Sequence, residues 1–164
     1  MTPATIIRRQ LDEMAALVMA TDGAIYTARP ITVSGTIGEH VRHCLDHIAA
    51  LVAAGPSQPM SYDSRQRGTA VERDPAEALR QIMRLQSSVD RWGARSMDDP
   101  ICVTSLVTPA GEVVTGWSTL GRELAYVHSH TIHHQALIAV LFELADVPVP
   151  DRLGLAPSTP RRAV

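Results

Sequence analysis

The stretch His128-Ser129-His130-Thr131-Ile132-His133-His134 places four of the chain's seven histidines within seven residues. Imidazole changes charge near neutral pH and is the commonest metal ligand among side chains. In a helix, His130 and His134 are four apart, so they share a face about one turn from each other and can hold one ion between them. His133 points about 100° away from His134, and His128 lies further still from that face. Two imidazoles alone make a weak site. The other three histidines, His40, His43 and His47, also fall in one window, at i, i+3, i+7 spacing. A second helix can therefore supply a third nitrogen from one stripe, and spacing does not separate His43 from His47 in that role. Three protein ligands with one open position form a catalytic site of the zinc or nickel type. A lone HxxxH is more often surface or satisfied core histidine; here the two windows hold every histidine of the chain, which favours a metal. A proton-sensing cluster and a purely structural metal are the alternatives.

A zincin protease would need HExxH, with the glutamate as general base, whereas Thr131 follows His130. The nearest helical carboxylate on that face is Glu123, two turns earlier, a candidate fourth ligand or a group that orients one. His47 is a candidate for the same two roles when His43 is the third ligand. All fifteen basic residues are arginine, which removes lysine Schiff-base and lysine general-base chemistry. In Tyr62-Asp63-Ser64-Arg65-Gln66-Arg67, Arg65 and Arg67 have the fork geometry that binds a carboxylate or phosphate of a substrate. The competing, slightly preferred reading is an ion-pair network of Asp63, Arg65, Arg67, Glu72 and Arg122. Cys44 and Cys102 form no CxxC and read as small core residues.

These side chains need helices to position them. Thr2-Pro3 caps a first helix carrying Ile6, Ile7, Leu11, Met14, Leu17 and Val18 to about residue 20. An irregular connection follows, with Gly23, Pro30 and Gly35. Thr36 to Glu39 reads as a capping box that starts a second helix through Val41, Leu45, Ile48 and Leu51, ending near Gly55-Pro56. After a long polar connection, Asp74-Pro75-Ala76-Glu77 reads as a second capping box, launching a third helix to about Trp92. β-Branched runs on either side of Pro109-Ala110-Gly111 predict a hairpin. Ser118 or Thr119 caps a fourth long helix to about Ala145, and a Pro-rich tail over 146–164 is expected to be extended, with its end partly disordered. The expected fold is an all-α four-helix bundle with a small β-hairpin before the last helix, in one domain over 1–164.

The composition agrees. Only 4% of the 164 residues are aromatic, so the core must be aliphatic, and a net charge of −2 without a basic stripe gives no reason to expect nucleic acid. No apolar run approaches a membrane span, and no signal-peptide pattern opens the chain, so the expected location is cytoplasmic.

The segments TIGEHVRHCLDHIAAL and STLGRELAYVHSHTIHHQALIAVL together resemble the DinB/YfiT-like superfamily of metal-binding four-helix bundles. The resemblance covers most of the chain and implies one ligand from an early HxxD-like element and two from a late HxxxH. Carried over, these are His43 in HCLD and His130 and His134 in HTIHH. It further implies a divalent metal, thiol-dependent transfer on a small-molecule substrate, and a homodimer. Metal-assisted hydrolysis is the alternative chemistry. A non-catalytic bundle, with a structural metal or as a stress-associated dimer, is the alternative class.

Overall fold

The computed structural model describes residues 1–55 and 58–160. Four long helices, α1 (Pro3–Met19), α3 (Ile37–Ala53), α4 (Pro75–Asp90) and α5 (Leu120–Leu144), form the bundle. A five-residue helix, α2 (Gly23–Thr27), and a 3₁₀ turn at Ala70–Glu72 lie in the connections. Strands β1 (Pro100–Leu106) and β2 (Val113–Thr119) pair antiparallel, Pro100 opposite Thr119 and Leu106 opposite Val113. The all-α bundle with a hairpin before its last helix is therefore the fold of this chain.

Each long helix buries one apolar stripe. Ile7, Leu11, Met14 and Val18 of α1, Val41, Cys44, Leu45, Ile48 and Leu51 of α3, Ala78, Ile82, Leu85 and Val89 of α4, and Leu124, Val127, Ile138 and Phe142 of α5 are buried in one continuous core, in which α1 packs on α4 and α3 on both α4 and α5. The middle of the α5 stripe departs from this pattern: Thr131 and Gln135 are buried there. The polar residues of the site thus sit halfway along the bundle, with apolar packing above and below.

The helix starts follow the sequence closely. Thr36 and Glu39 form the full capping box, each side chain bonded to the other's backbone N–H. Thr2 caps α1 and Thr119 caps α5. The box expected at Asp74 is incomplete: Asp74 accepts from the Ala76 N–H at 2.8 Å, but Glu77 accepts instead from Arg80 and Arg84. Two cations one and two turns along its own helix outcompete the single backbone donor. The connection after α1 is also not wholly irregular, because Asp22 caps the Ile25 N–H and starts α2, whose Tyr26 is fully buried. At the other end of α3, Trp92 Nε1 donates to the Val52 carbonyl at 2.8 Å and Arg95 to that of Ala54 at 2.9 Å, satisfying acceptors the helix itself leaves open. Pro56 and residues 161–164 of the expected tail lie outside the described residues. Within the tail, residues 151–154 make a turn in which Gly154, at φ +73°, lies on Ala136 of α5; an added Cβ would stand 2.3 Å from the Ala136 Cα. This part of the tail is docked on the bundle rather than extended.

Gly38, in the first turn of α3, allows the closest approach in the fold's connections. A Cβ there would fall 2.1 Å from the Glu72 carbonyl oxygen and 2.6 Å from the Tyr26 ring. Gly38→Ala is therefore expected to destabilise the protein by about 1–3 kcal/mol or more in urea unfolding, as overpacking does. Gly23→Ala, with nothing within 4 Å of its added Cβ, should stay within about 0.5 kcal/mol of the wild type.

Candidate metal centre

Helices α3 and α5 turn their histidines toward each other. His43 Nε2 stands 2.7 Å from His130 Nε2, and His47 completes a group of three whose ligand atoms lie within 4.8 Å of one another. Ligands on a tetrahedral zinc, at about 2.0–2.1 Å each, are about 3.3–3.4 Å apart. The observed group matches that scale with side-chain adjustments of an ångström or so. His47 Nδ1 lies 3.0 Å from the His43 carbonyl oxygen, a position that requires Nδ1–H to donate and leaves Nε2 with its lone pair free.

His134, four residues beyond His130, borders this group, its ring centroid 4.4 Å from that of His43 and 4.7 Å from that of His130. Its Nδ1 lies 3.0 Å from His40 Nδ1, so one of these two rings donates to the other. His40 is buried, and its Nε2 has no partner among the described residues. His133 is exposed, and His128 turns to α1, where its Nδ1 pairs with Gln10 at 3.0 Å. Of the sequence candidates, His43, His47, His130 and His134 are thus gathered in one place, with His43, His47 and His130 drawn tightest.

Glu123 stands behind these rings. Its two carboxylate oxygens accept from Tyr62 at 3.0 Å and Ser118 at 2.7 Å. Tyr62 in turn lies flat on His47, with ring centroids 5.0 Å apart and planes 7° from parallel. The carboxylate therefore orients an aromatic wall, to which Tyr126 adds by stacking on His130 at 5.8 Å. The sequence places Tyr62 only as a member of the 62–67 loop, without a role of its own, and leaves Tyr126 unremarked. Tyr126 was legible, four residues before His130 and on its face; Tyr62 reaches the site from a loop, which no local spacing reveals.

Arg65 comes down on the cluster with Nη1 2.6 Å from His43 Nδ1. The ion-pair network expected around it does not form. Glu72 is taken by Arg42 of α3 at 2.8 Å and by the Gly68 N–H at 2.9 Å, and Asp63 accepts from the Leu106 N–H at 2.8 Å. Arg67 is exposed. Cys44 is fully buried and its thiol is pushed up to about 12 by burial, so it is a core residue rather than a nucleophile.

A sequence model of the DinB superfamily matches residues 6–138. The chain belongs to the DinB superfamily. It is also 34% identical over 102 residues to FK506-binding protein 5 of Rhizopus delemar, a match spanning 61% of this chain and 26% of that protein. The chain thus corresponds to about a quarter of the length of that curated relative. No solved structure matches it.

In this DinB-superfamily chain the imidazoles are held neutral, the form that binds a metal. Burial lowers His43 most, to about 2, with the neighbouring His47 and His134 rings and Arg65 adding to it. Burial also lowers His134 to about 3 and His130 to about 4, in each case with help from adjacent histidines. His40 and His47 are lowered for the same first reason. The fit to a divalent metal is good: neutral nitrogen donors, one with its tautomer fixed by a backbone carbonyl. Among the described residues no helix is long and apolar enough to cross a membrane.

Two outcomes follow from this geometry. Because the folded histidines titrate below their ordinary 6.5, the unfolded chain binds protons first as the pH falls. Metal-free protein should therefore lose stability progressively from about pH 6.5 toward pH 4, read as falling urea midpoints in the presence of a chelator, with a shallower dependence in His43→Gln/His130→Gln. Tyr62→Phe, which leaves one oxygen of buried Glu123 without its donor, should cost about 1–3 kcal/mol in the same assay.

Proposed function

We propose that this chain is a divalent-metal-dependent enzyme, with zinc or nickel held between α3 and α5, acting on a small-molecule substrate. The observation that carries the reading is the convergence of His43, His47 and His130 within 4.8 Å from two helices far apart in sequence. His43 and His130 are common to this group and to the set implied by the family; the remaining ligand is His47 by proximity or His134 by family pattern. A divalent ion there would lower the pKa of a thiol or water brought to it, or polarise a carbonyl.

The chain's own groups suit such chemistry. Tyr62 and Tyr126 shield the imidazoles on one side, and Glu123 holds Tyr62 in place. Arg65 is the cation nearest the ligand atoms and meets an anionic substrate or developing negative charge. Thiol-dependent group transfer is the reaction favoured by family membership, and metal-assisted hydrolysis is the competing chemistry. A second reading is a structural metal in a non-catalytic bundle. It is favoured by the closeness of His134, which would close a four-imidazole shell with His43, His47 and His130.

Metal analysis of untagged protein tests the first step: the wild type should carry about one equivalent, and His43→Ala and His130→Ala should lose it. Comparing His47→Ala with His134→Ala then identifies the third ligand. Wild-type protein without stoichiometric metal sinks both readings. In cobalt-substituted protein, a d–d spectrum that shifts with added azide marks an exchangeable position and supports the enzyme; an unresponsive tetrahedral spectrum supports the structural shell.

A further inference from the structure

A cleft of about 460 Å³ opens between α3, the 61–69 loop and Gln81 of α4, lined by Arg65, which also reaches His43. Its volume falls in the range of small-molecule sites. Its apolar floor comes from Leu45, Ala49 and Val71, and its polar groups are unevenly satisfied.

Arg42, which also lines the cleft, is neutralised by Glu72 at 2.8 Å and Asp46 at 3.0 Å. Arg65 has no carboxylate partner among the described residues; its only hydrogen-bonding neighbour there is a histidine. A half-buried guanidinium against neutral imidazoles gains little, and it works against any cation bound by those imidazoles. An anion placed beside it removes both penalties. Asp46 accepts from Arg42 through Oδ2, leaving Oδ1 open, and its side chain is a third exposed. The Thr69 hydroxyl is buried against the same cleft with no partner among the described residues. A buried hydroxyl left unmatched is costly unless a ligand or water completes it.

The cleft therefore offers one uncommitted cation and one carboxylate with spare acceptor capacity. A phosphate dianion fits poorly, because Asp46 repels it and a single guanidinium cannot neutralise it. We propose that the cleft binds a small zwitterion, an amino acid or short peptide, with its carboxylate on Arg65 beside His43 and its ammonium on Asp46. The Thr69 hydroxyl then bonds to the ligand's polar body. This names the substrate class of the proposed metal site and rests on that reading for the reaction, but not for the binding.

The test is titration of ¹⁵N-labelled full-length protein with the dipeptide glycylserine, its C-terminal amide and its N-acetyl form, in chelator so that the metal plays no part. Wild-type protein should show saturable shifts over residues 61–69 and around Asp46, with the amide and the N-acetyl form each weaker by about tenfold, the size expected for a lost charge-assisted hydrogen bond. Arg65→Gln should bind the dipeptide about tenfold more weakly and no longer distinguish acid from amide, Arg65→Lys should recover part of the difference, and exposed Arg67→Gln should leave it unchanged. Absence of saturable binding, or equal affinity for acid and amide in the wild type, overturns the proposal. So does an Arg65→Gln variant that keeps the preference. Because no metal is present, these outcomes are independent of whether the histidines bind one.

Discussion

The buried pair of Arg42 and Glu72 holds together the parts of the molecule that meet at the site. Glu72 accepts from Arg42 on α3 and from the backbone of Gly68, so it fixes the end of the long connection to the helix that carries His43 and His47. Both side chains are about nine-tenths buried, and removing one partner of such a pair typically costs about 3–5 kcal/mol because a charge is left alone out of water. The same contact brings the Glu72 carbonyl against Gly38 and the Val71 carbonyl within 2.9 Å of the Tyr26 hydroxyl. With that end fastened, the preceding residues of the connection run past the histidines, and Tyr62 and Arg65 reach them from outside the bundle.

This arrangement explains why the imidazoles can be packed so densely. Imidazole rings from α3 and α5 stand 4.4–5.1 Å apart, centroid to centroid, in a part of the core where Thr131 and Gln135 interrupt the apolar stripe. Were they charged, mutual repulsion and lost hydration would force the helices apart. Burial keeps them neutral, the His43 carbonyl fixes the proton of His47 on Nδ1, and His40 and His134 share one hydrogen bond between their Nδ1 atoms. The polarity of the bundle centre and its capacity for a cation have the same origin.

Much of this was written in local sequence. Periodic apolar residues gave four helices, and the Thr36–Glu39 box marked the start of α3 to the residue. The pairing of an early histidine window with a late one told which helices must face each other. What depended on competition between distant groups was not legible. Glu72 reads equally well as a partner for Arg65 or Arg67; only the fold places Arg42 nearer. Glu77 has the spacing of a capping residue but sits within reach of two arginines on its own helix. His43 and His47 lie one turn apart on one stripe, so their sequence spacing is silent on which approaches His130 most closely, and α2 is too short for periodicity to reveal.

The hairpin meets the site through Ser118 of β2, which donates to Glu123, and also through the loop. Met60 bonds to β1 on both sides, its N–H to the Cys102 carbonyl and its carbonyl to the Thr104 N–H, each at 2.8 Å, and Asp63 holds the Leu106 N–H. Tyr62 is therefore pinned between two ties to the same strand. A force on the exposed outer strand, where Trp117 stands largely in solvent, is carried by β1 to residues 60 and 63 and so to the ring lying on His47. The hairpin is a lever whose short arm is the aromatic wall of the histidine cluster.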